Sequence, residues 1–512
     1  MKRDGNCKSL WQDNMPDFTS RENNTNDKEF DVVIVGGGIT GITTGLLLQK
    51  SGMQVAIAEA RNICFGTTGG TTAHLNTMMD TPYNEIINKF NEEDARIVAS
   101  AARESLNLVK KNVKEYHIDC GYKELPGYLF SQTDNQRKEL DEILEASQRA
   151  GVEVSLSNTI PVNIPFEKAL EFPGQASFHP TRYVYALADQ FEKAGGVILQ
   201  NCRVIGVEEN EILDITTGSG KLRSKNLIYA THIPPGVNLL HFRCAPYRSY
   251  AIACKLKDEK DYPKGLAYDM YDPYHYYRTQ EIDGELYLIA GGEDHKTAHE
   301  ENTENRFRKL EAYVRNFYEI TDISFHWSSQ YFEPTDGLPY IGRLPGHADN
   351  VFVATGYGGN GMTYSGVAAL LLTDLLVTGK SDWEELFDPN RIKPVAGFAN
   401  FVKESADVVG HFFKGKFSRE KLDEFIELAP GEGKIVKYEG ESMAVYKDDE
   451  GRLHAVNPAC SHIKCTIGWN AAEKTWDCPC HGSRYSYDGE MLTGPARKDL
   501  QVIHLEELVG KG

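Results

Sequence analysis

The hydrophobic positions of the chain fall into an ordered pattern from about residue 30 onwards. Residues 31–35 are Asp-Val-Val-Ile-Val, and such a run of β-branched side chains is typical of a strand buried on both faces. Residues 42–48 have the apolar content of a helix, and residues 54–58 predict a second strand. Strand, helix and strand in this order indicate the start of an α/β domain.

The pattern changes further along the chain. Charges alternate with apolar residues in 85–116, which predicts an amphipathic helix. Residues 185–194 predict another helix, and residues 197–204 predict a strand. In residues 388–428 the apolar positions become sparse and helical, so we expect a helical connection there. Short strands are predicted from residue 434 onwards.

Composition and charge narrow the class of protein. The 512 residues have room for about three domains, and 41% hydrophobic with 25% charged residues is ordinary for a globular protein. The net charge of −19 argues against nucleic acid or an anionic membrane surface as partner, because both would repel the chain. No run of about 18 apolar residues is present to span a bilayer. Residues 1–28 are polar, carry no signal-peptide core, and are expected to form an arm that is flexible or lies on the surface.

Cysteine usage bears on the cellular compartment. Six of the ten cysteines have no partner at short spacing, which fits free, buried thiols in a reducing compartment. They are Cys7, Cys64, Cys120, Cys202, Cys244 and Cys254. We therefore expect a cytoplasmic protein.

A glycine motif joins the first strand to the first helix. Gly36, Gly38 and Gly41 fit the pattern G-x-G-x-x-G. The first glycine permits a tight turn, the second lets a pyrophosphate approach the backbone, and the third lets helix and strand pack. Glu59 follows Gly41 by eighteen residues and can accept hydrogen bonds from ribose hydroxyls. The unit predicts a dinucleotide site without distinguishing NAD from FAD.

Three later stretches favour FAD. Residues 66–74 form a Gly/Thr-rich loop with many N–H and hydroxyl groups, and residues 227–232 are a strand ending in a small-residue turn. Residues 336–342 and 350–363 predict a strand, a glycine loop and a helix start, whose positive end could stabilise a reduced flavin. Together these segments resemble the D-amino-acid oxidase and glycine oxidase superfamily of FAD-dependent enzymes, and the resemblance covers about residues 29–385.

The resemblance implies an α/β Rossmann-like FAD domain with an inserted α+β substrate domain, within residues 29–387. The FAD domain would consist of residues 29–80, 175–235 and 335–385, and the substrate domain of residues 81–174 and 236–334. The motifs and the resemblance predict these FAD-binding residues: Gly36, Gly38, Ile39, Thr40, Gly41, Glu59, Ala60, Arg61, Gly66, Thr67, Thr68, Thr71, Thr72, Val204, Ala230, Thr231, Gly342, Gly356, Gly358, Gly359, Gly361, Met362 and Thr363.

Two stretches concentrate aromatic residues around an arginine, at residues 246–252 and 271–278. Relatives in the superfamily often hold a substrate carboxylate with an arginine and a tyrosine, which suits the bidentate guanidinium. Arg278 is the leading candidate for this clamp. Its expected companions are Arg248, Tyr250, His275 and Tyr277, with His295 as a weaker candidate. The alternative is ordinary sheet packing by tyrosine-rich strands.

The most specific chemical pattern lies near the C-terminus. Cys460-x-His462 and Cys478-x-x-His481 are two half-sites with fifteen residues between His462 and Cys478. Two cysteines and two histidines are the ligands of one kind of [2Fe–2S] centre, in which thiolates hold one iron and imidazoles the other. A structural zinc site is the alternative.

Residues 429–512 resemble a small all-β Rieske domain, through Trp476 to Ser483 and through Gly494-Pro495-Ala496. Each half-site carries a further cysteine, Cys465 or Cys480, and the pair resembles the disulfide-bearing type found in cytochrome bc complexes. The resemblance therefore implies a [2Fe–2S] cluster and a disulfide that ties the two ligand loops together.

The two cofactors together predict a function. An ordinary oxidase passes electrons from flavin directly to oxygen, so a fused one-electron carrier argues for a dehydrogenase. We expect oxidation of an amino acid or related amine by FAD, with electrons passed singly through the cluster to an external acceptor, either a protein or a quinone. The alternatives are reverse electron flow in a reductase or monooxygenase-like reaction, and a redox module without enzymatic activity.

Overall fold

The computed structural model describes residues 3–13, 15–21, 28–391, 428–438 and 441–505. Its α-helices are α1 Ile39–Lys50, α2 Thr67–Gly70, α3 Tyr83–Lys89, α4 Glu92–Glu115, α5 Asp134–Arg149, α6 Pro180–Lys193, α7 Thr303–Arg315, α8 Gly361–Thr378 and α9 Glu384–Phe387. Its strands are β1 Glu29–Val35, β2 Val55–Ala58, β3 His74–Leu75, β4 Lys123–Ser131, β5 Ser155–Ser157, β6 Lys168–Ser177, β7 Val197–Leu199, β8 Val204–Glu208, β9 Leu213–Thr217, β10 Gly220–Tyr229, β11 Cys244–Leu256, β12 Leu266–Asp269, β13 Tyr276–Ile282, β14 Glu285–Lys296, β15 Ile320–Pro334, β16 Tyr340–Arg343, β17 Val351–Thr355, β18 Gly433–Tyr438, β19 Glu441–Lys447, β20 Leu453–Val456, β21 Gly468–Asn470, β22 Thr475–Asp477, β23 Arg484–Ser486 and β24 Met491–Thr493.

An eight-stranded sheet forms the first layer, in the order β16-β17-β10-β1-β2-β7 with β8 and β9 attached through β10. Strand β1 runs parallel to β2 and β10. Val32 and Ile34 pack in one core with α1 and α8, whereas Val33 and Val35 pack in a second core on the opposite face. Since both faces are covered, residues 32–35 of β1 are apolar without alternation. This confirms the predicted α/β fold.

A nine-stranded sheet forms the second layer, in the order β15-β11-β14-β13-β12-β4-β6-β3 with β5 beside β6. Helix α7 packs on one face of it, where Tyr250 and Tyr277 share a core with Leu310 and Val314. The other face looks toward the first sheet. Because side chains alternate along a strand, the residues on either side of each of these tyrosines lie on that second face. The nine-stranded sheet with α7 packed on it confirms the predicted inserted α+β unit.

The C-terminal part consists of two small antiparallel sheets, β18-β19-β20 and β21-β22-β23-β24. Trp476 and Tyr485 are fully buried between them. This confirms the expected all-β unit. Of the expected helical connection, residues 392–427 lie outside the described residues.

Residues 3–13 of the N-terminal arm pack into the protein, whereas residues 15–21 are half-buried or exposed. Leu10 and Trp11 are buried against Trp327 and Ile289 of the second sheet, and the Trp11 indole donates to the carbonyl oxygen of Thr71. Residues 3–13 therefore depart from the expectation of a flexible or surface arm, because this polar sequence supplies a large apolar anchor.

One helix in the described part of the chain is long and apolar enough to cross a membrane. This is α8, with 18 residues, of which 61% are buried inside the protein. It packs against α1 and α4. Length and composition of a single core helix are weak evidence for a membrane span.

Candidate active site

The first glycine of the motif occupies a backbone position that needs glycine. Gly36 has φ +113°, and a Cβ there would lie 2.5 Å from the carbonyl oxygen of Ala230. A Cβ on Gly41 would lie 2.0 Å from the carbonyl oxygen of Gly36. The turn and the close packing of α1 therefore have the geometry that the motif predicts.

Two helix N-termini open into one cavity of about 300 Å³. Gly38 at the start of α1 and Asn360 at the start of α8 line it, and neither helix has a side-chain hydrogen bond at its N-cap. Free N–H groups and the positive ends of the helix dipoles suit a pyrophosphate and a reduced flavin. These features fit FAD.

Glu59 closes the nucleotide end of the cavity. Its carboxylate accepts hydrogen bonds from the backbone N–H of Gly37 at 2.7 Å and of Arg61 at 2.8 Å. Burial raises the pKa of Glu59, since the charged form loses water. This position is consistent with the predicted contact to ribose.

Most of the predicted FAD-binding residues line this cavity. They are Gly36, Gly38, Ile39, Thr40, Glu59, Ala60, Arg61, Gly66, Thr67, Thr68, Thr71, Thr72, Val204, Ala230, Thr231, Gly358, Gly359, Gly361 and Met362. Residues from five separate stretches of sequence thus meet around one space.

Four of the predicted residues lie outside the lining. Gly41 supports α1 as described above. Gly342 packs against Pro389, and a Cβ added to this glycine would lie 2.9 Å from the proline ring. Gly356 packs beside Cys244, and a Cβ added there would lie 3.1 Å from the cysteine sulfur. The hydroxyl of Thr363 donates to the carbonyl oxygen of Asn76 at 2.8 Å. These positions shape the walls of the cavity without facing it.

The position of Arg278 does not fit the predicted carboxylate clamp. It is fully buried, and its guanidinium donates to the carbonyl oxygens of Ala73 and Phe178 and to the Gln280 side chain. The Trp11 ring lies 5.3 Å from it. Arg278 does not line the cavity. Trp11 of the N-terminal arm and Ala73 of the Gly/Thr-rich loop occupy the space in front of its guanidinium. In this structure Arg278 ties β13 to the carbonyl oxygens of Ala73 and Phe178.

The expected companions of Arg278 also lie away from the cavity. Arg248 donates to Ser328 and pairs with Asp477 at 3.4 Å. Tyr250 and Tyr277 face α7, and Tyr250 meets His295 at 2.9 Å. None of these side chains lines the cavity.

His275 points to the same outer side of the sheet. Its Nδ1 lies 2.9 Å from Asp269, and its ring stacks on Tyr313 at 3.9 Å. Burial disfavours the charged imidazolium, but hydrogen bonds and charges of Asp269 and Glu293 outweigh that effect and raise the pKa of His275 to about 9. His275 is therefore charged at neutral pH and is held in an ion pair.

The substrate end of the cavity is lined by four tyrosines, two acids, a histidine and an asparagine that were not among the predicted site residues. They are Tyr268, Tyr274, Tyr276, Tyr331, Asp80, Asp294, His74 and Asn76. Tyr274 and Tyr276 flank His275 within the predicted aromatic stretch, and Asp294 precedes His295. The predicted aromatic stretch therefore contains residues that line the cavity, but the prediction chose their neighbours on the opposite face of the sheet. An aromatic run has no polar alternation that would distinguish the two faces.

Cys460, Cys478, His462 and His481 come together in the C-terminal unit. Both thiols are fully buried, and the two imidazole rings lie 5.1 Å apart. The Nδ1 atoms of both histidines are buried without a hydrogen-bond partner in the described structure. Such atoms are costly unless a ligand satisfies them. Two thiols and two free imidazole nitrogens fit a [2Fe–2S] cluster.

The loops that carry these ligands are tied together beside the site. Cys465 and Cys480 form the expected disulfide. Their sulfurs and that of Cys478 all lie within 4.8 Å of one another. The hydroxyl of Tyr485 lies 3.2 Å from the Cys460 sulfur, where it can donate a hydrogen bond to a cluster ligand and raise the reduction potential.

A buried ion network holds the C-terminal unit against the second sheet. Arg484 pairs with Asp4 at 2.9 Å and with Asp477 at 3.0 Å, while Arg3 pairs with Glu473 at 3.1 Å. Burial favours the neutral carboxyl, but the charges of nearby arginines lower the pKa of Glu473 to about 2. The N-terminal arm therefore bridges the two folded parts.

The C-terminal unit also reaches into the FAD cavity. Its lining residues are Met491, Leu492, Thr493, Gly494, Ala496 and Arg497. Arg203 donates to the carbonyl oxygen of Met491 at 2.9 Å, and Arg61 does so at 3.1 Å. The cavity is thus built by both parts of the chain.

Fold and sites together define a flavin-dependent oxidoreductase that carries its own Rieske centre. Residues 31–375 match the family model described as FAD dependent oxidoreductase, and residues 420–504 match the Rieske [2Fe-2S] domain. The chain therefore belongs to the FAD-dependent oxidoreductase family, and its cofactors are FAD and a [2Fe–2S] cluster. This excludes the zinc alternative for Cys460 and its partners.

Known relatives extend the comparison. The chain is 34% identical over 495 residues to YhfW of Bacillus subtilis (strain 168), which covers 96% of each chain. It is 26% identical over 364 residues to gamma-glutamylputrescine oxidoreductase of Escherichia coli (strain K12), covering 68% of this chain and 83% of that one. Glycine oxidase from Geobacillus kaustophilus superposes with a TM-score of 0.58 at 18% identity, over 71% of this chain and 99% of that one, which shows a shared fold.

Proposed function

We propose that the protein is a dehydrogenase that oxidises the C–N bond of an amino acid or related amine and delivers the electrons through its Rieske centre to an external acceptor. The similarity to gamma-glutamylputrescine oxidoreductase supports the amine chemistry. The acceptor would be another protein or a quinone.

One contact carries the proposal. The Nε2–H of His462 donates to the carbonyl oxygen of Gly236 at 2.9 Å. Ile233 and Pro235, a few residues earlier, line the FAD cavity. A short stretch of main chain and one hydrogen bond thus connect the cavity wall to a cluster ligand. This connection supports electron transfer within one chain.

The protein's own residues hold the two centres in place. FAD, when bound, accepts two electrons and the [2Fe–2S] cluster accepts one, so these groups supply the redox chemistry. Gln330 lines the cavity and donates to the carbonyl oxygen of Gly482, next to His481, at 2.8 Å. Arg497 donates to Pro235 at 3.2 Å. Contacts on both sides of the cavity therefore fix its distance from the cluster.

The variant Cys460→Ser tests the order of the electron carriers. We expect the cluster's absorption and electron-spin spectra to disappear, while an amine from a screened panel still bleaches the flavin under anaerobic conditions. Turnover with an artificial one-electron acceptor should fall by at least about tenfold, because the outlet is lost. Cys254→Ser, a buried thiol far from the cluster in sequence, is the matched control.

Two results would contradict the proposal. One is loss of flavin bleaching in a folded, FAD-bound Cys460→Ser protein. The other is flavin reduction by NADH with no reduction by any amine, which would favour electron flow in the opposite direction. A protein that accepts electrons from neither source would instead be a redox module without enzymatic activity.

We also propose that the protein is cytoplasmic. Cys64, Cys120, Cys202, Cys244 and Cys254 are buried free thiols, which supports a reducing compartment. Cys465 of the disulfide is itself buried. Labelling of a tagged protein in fractionated cells would test the location.

A further inference from the structure

We propose that the substrate binds as an organic ammonium cation, held by Asp294, Asp80 and a surrounding group of tyrosines, and that it carries no carboxylate beside the reacting nitrogen. This inference rests on the proposed function, because it narrows the substrate class of the same cavity. It selects amines over amino acids.

Asp80 and Asp294 come from distant parts of the sequence, and both line the same end of the cavity. Asp294 lies near the end of β14, where Tyr331 donates to its Oδ2 at 2.9 Å. Its Oδ1 is buried and has no hydrogen-bond partner in the described structure. Asp80 accepts from the backbone N–H of Gly359 at 2.6 Å. The Ser249 hydroxyl, which lines the cavity and lowers the pKa of Asp294, is the neighbouring protein donor. Oδ1 is therefore open to a ligand from the cavity side.

Aromatic rings complete the site. Tyr268, Tyr274, Tyr276 and Tyr331 line the same end of the cavity. Tyr274 and Tyr276 lie 5.7 Å apart, and His74 lies 5.4 Å from Tyr276. Faces of tyrosine rings attract ammonium and methylated ammonium groups. Burial lowers the pKa of His74 to about 3, so this imidazole adds no competing positive charge.

Among the residues that the structure describes, no arginine or lysine lines the cavity beside Asp80 and Asp294 to balance a substrate carboxylate. The arginines that line the described cavity are Arg61, Arg203 and Arg497, and each of them contacts the interface with the Rieske domain. Arg278 and Arg248 are engaged elsewhere, as shown above. The carboxylate of an amino acid would therefore stand among Asp80 and Asp294 without a counter-charge.

The acids are also suited to take a proton. An ammonium must release its N–H proton before its C–N bond can be oxidised, and that proton would move to a carboxylate of the pair to give a neutral amine and a carboxylic acid. Burial raises the pKa of Asp80 to about 6 and that of Asp294 to about 7. Both pKa values lie near neutral pH, where a carboxyl group is most effective in proton transfer.

The test measures binding to the oxidised holoenzyme by the change in flavin absorbance, without turnover. Three probes of similar shape differ in charge: choline is a cation, 3,3-dimethylbutan-1-ol is neutral, and glycine betaine also carries a carboxylate. We expect choline to bind and the other two to bind at least about tenfold more weakly. Asp294→Asn should weaken choline binding by at least about tenfold and leave the neutral probe unchanged.

Glu293→Gln is the matched control, since Glu293 is the adjacent acid but pairs with Arg306 outside the cavity lining. Should Asp294→Asn lose FAD or fail to fold, Tyr331→Phe removes a donor to the same carboxylate and should change choline affinity without changing the neutral probe. Betaine binding as tightly as choline, or choline binding unchanged in Asp294→Asn, would overturn the inference. Because no electrons move in this assay, its outcome is independent of the Cys460→Ser experiment.

Discussion

The two ends of the FAD cavity are built in different ways. The nucleotide end is made largely of main chain, with Gly36 in a tight turn and the N-terminus of α1 aimed inward. The substrate end is made of side chains, in which Asp80 and Asp294 come from segments more than two hundred residues apart. Backbone sites need short local motifs, whereas side-chain sites need a whole sheet to assemble. The cofactor site and the proposed substrate site are therefore encoded at different ranges along the chain.

The largest expected effect lies at the nucleotide end. Gly36→Val would place a side chain 2.5 Å from the Ala230 carbonyl oxygen in a backbone conformation that valine avoids. FAD content per purified chain should fall by about tenfold or more, while the cluster spectrum is retained. Gly218→Ala, where nothing lies within 4 Å, is the control. Full FAD content in Gly36→Val would show that the turn is not required.

The next effect lies where both parts of the chain meet. Arg484→Met would remove one of the two buried arginine partners of Asp4 and of Asp477, leaving Arg3 beside Asp4 and Arg248 beside Asp477. Breaking a buried pair in this way costs about 3–5 kcal/mol, so the unfolding midpoint in urea should fall clearly. Arg452→Met in the same unit removes an arginine whose side chain is 72% exposed, and it should change stability little. Equal stability of the two variants would mean that the buried network does not hold the Rieske domain in place.

The smallest effect concerns the outer face of the substrate sheet. The pKa of His275 is about 9 in the folded protein against an ordinary value of 6.5. A raised pKa stabilises the fold below about pH 6.5, and this contribution is lost as the pH rises through 9. Asp269, Glu293 and Tyr313 face the imidazole. His275→Gln should therefore flatten the fall in stability between pH 6.5 and 9, measured by urea unfolding at each pH, and an unchanged slope would contradict the assigned ion pair.

The sequence predicted the cofactors and the fold because their signals are local. The glycines after β1, the two Cys/His half-sites and the extra cysteine pair each lie within a few residues, and each has a backbone or ligand requirement that few other sequences satisfy. The same holds for the α/β and all-β units, whose apolar patterns follow directly from which faces are covered.

The sequence could not predict which aromatic residues face the substrate. Along β13, Tyr276 lines the cavity while Tyr277 packs against α7, and both positions are apolar-aromatic, so no polar alternation distinguishes the two faces. Arg278 lies on the same face of β13 as Tyr276, but its guanidinium is covered by Trp11 from the N-terminal arm. The polar composition of residues 3–13 gave no indication that Trp11 would cover Arg278 of β13.

By itself, then, the sequence determined that this protein holds FAD and a [2Fe–2S] cluster, since both are bound by motifs that the chain forms over a few residues. Only the tertiary structure decided that Asp80, Asp294 and four tyrosines share one end of the cavity, and that His462 touches the loop behind it. The physical reason is the range of the contacts. Sheet pairing and domain docking bring together side chains that no local pattern connects, and those side chains define the proposed substrate and the electron outlet.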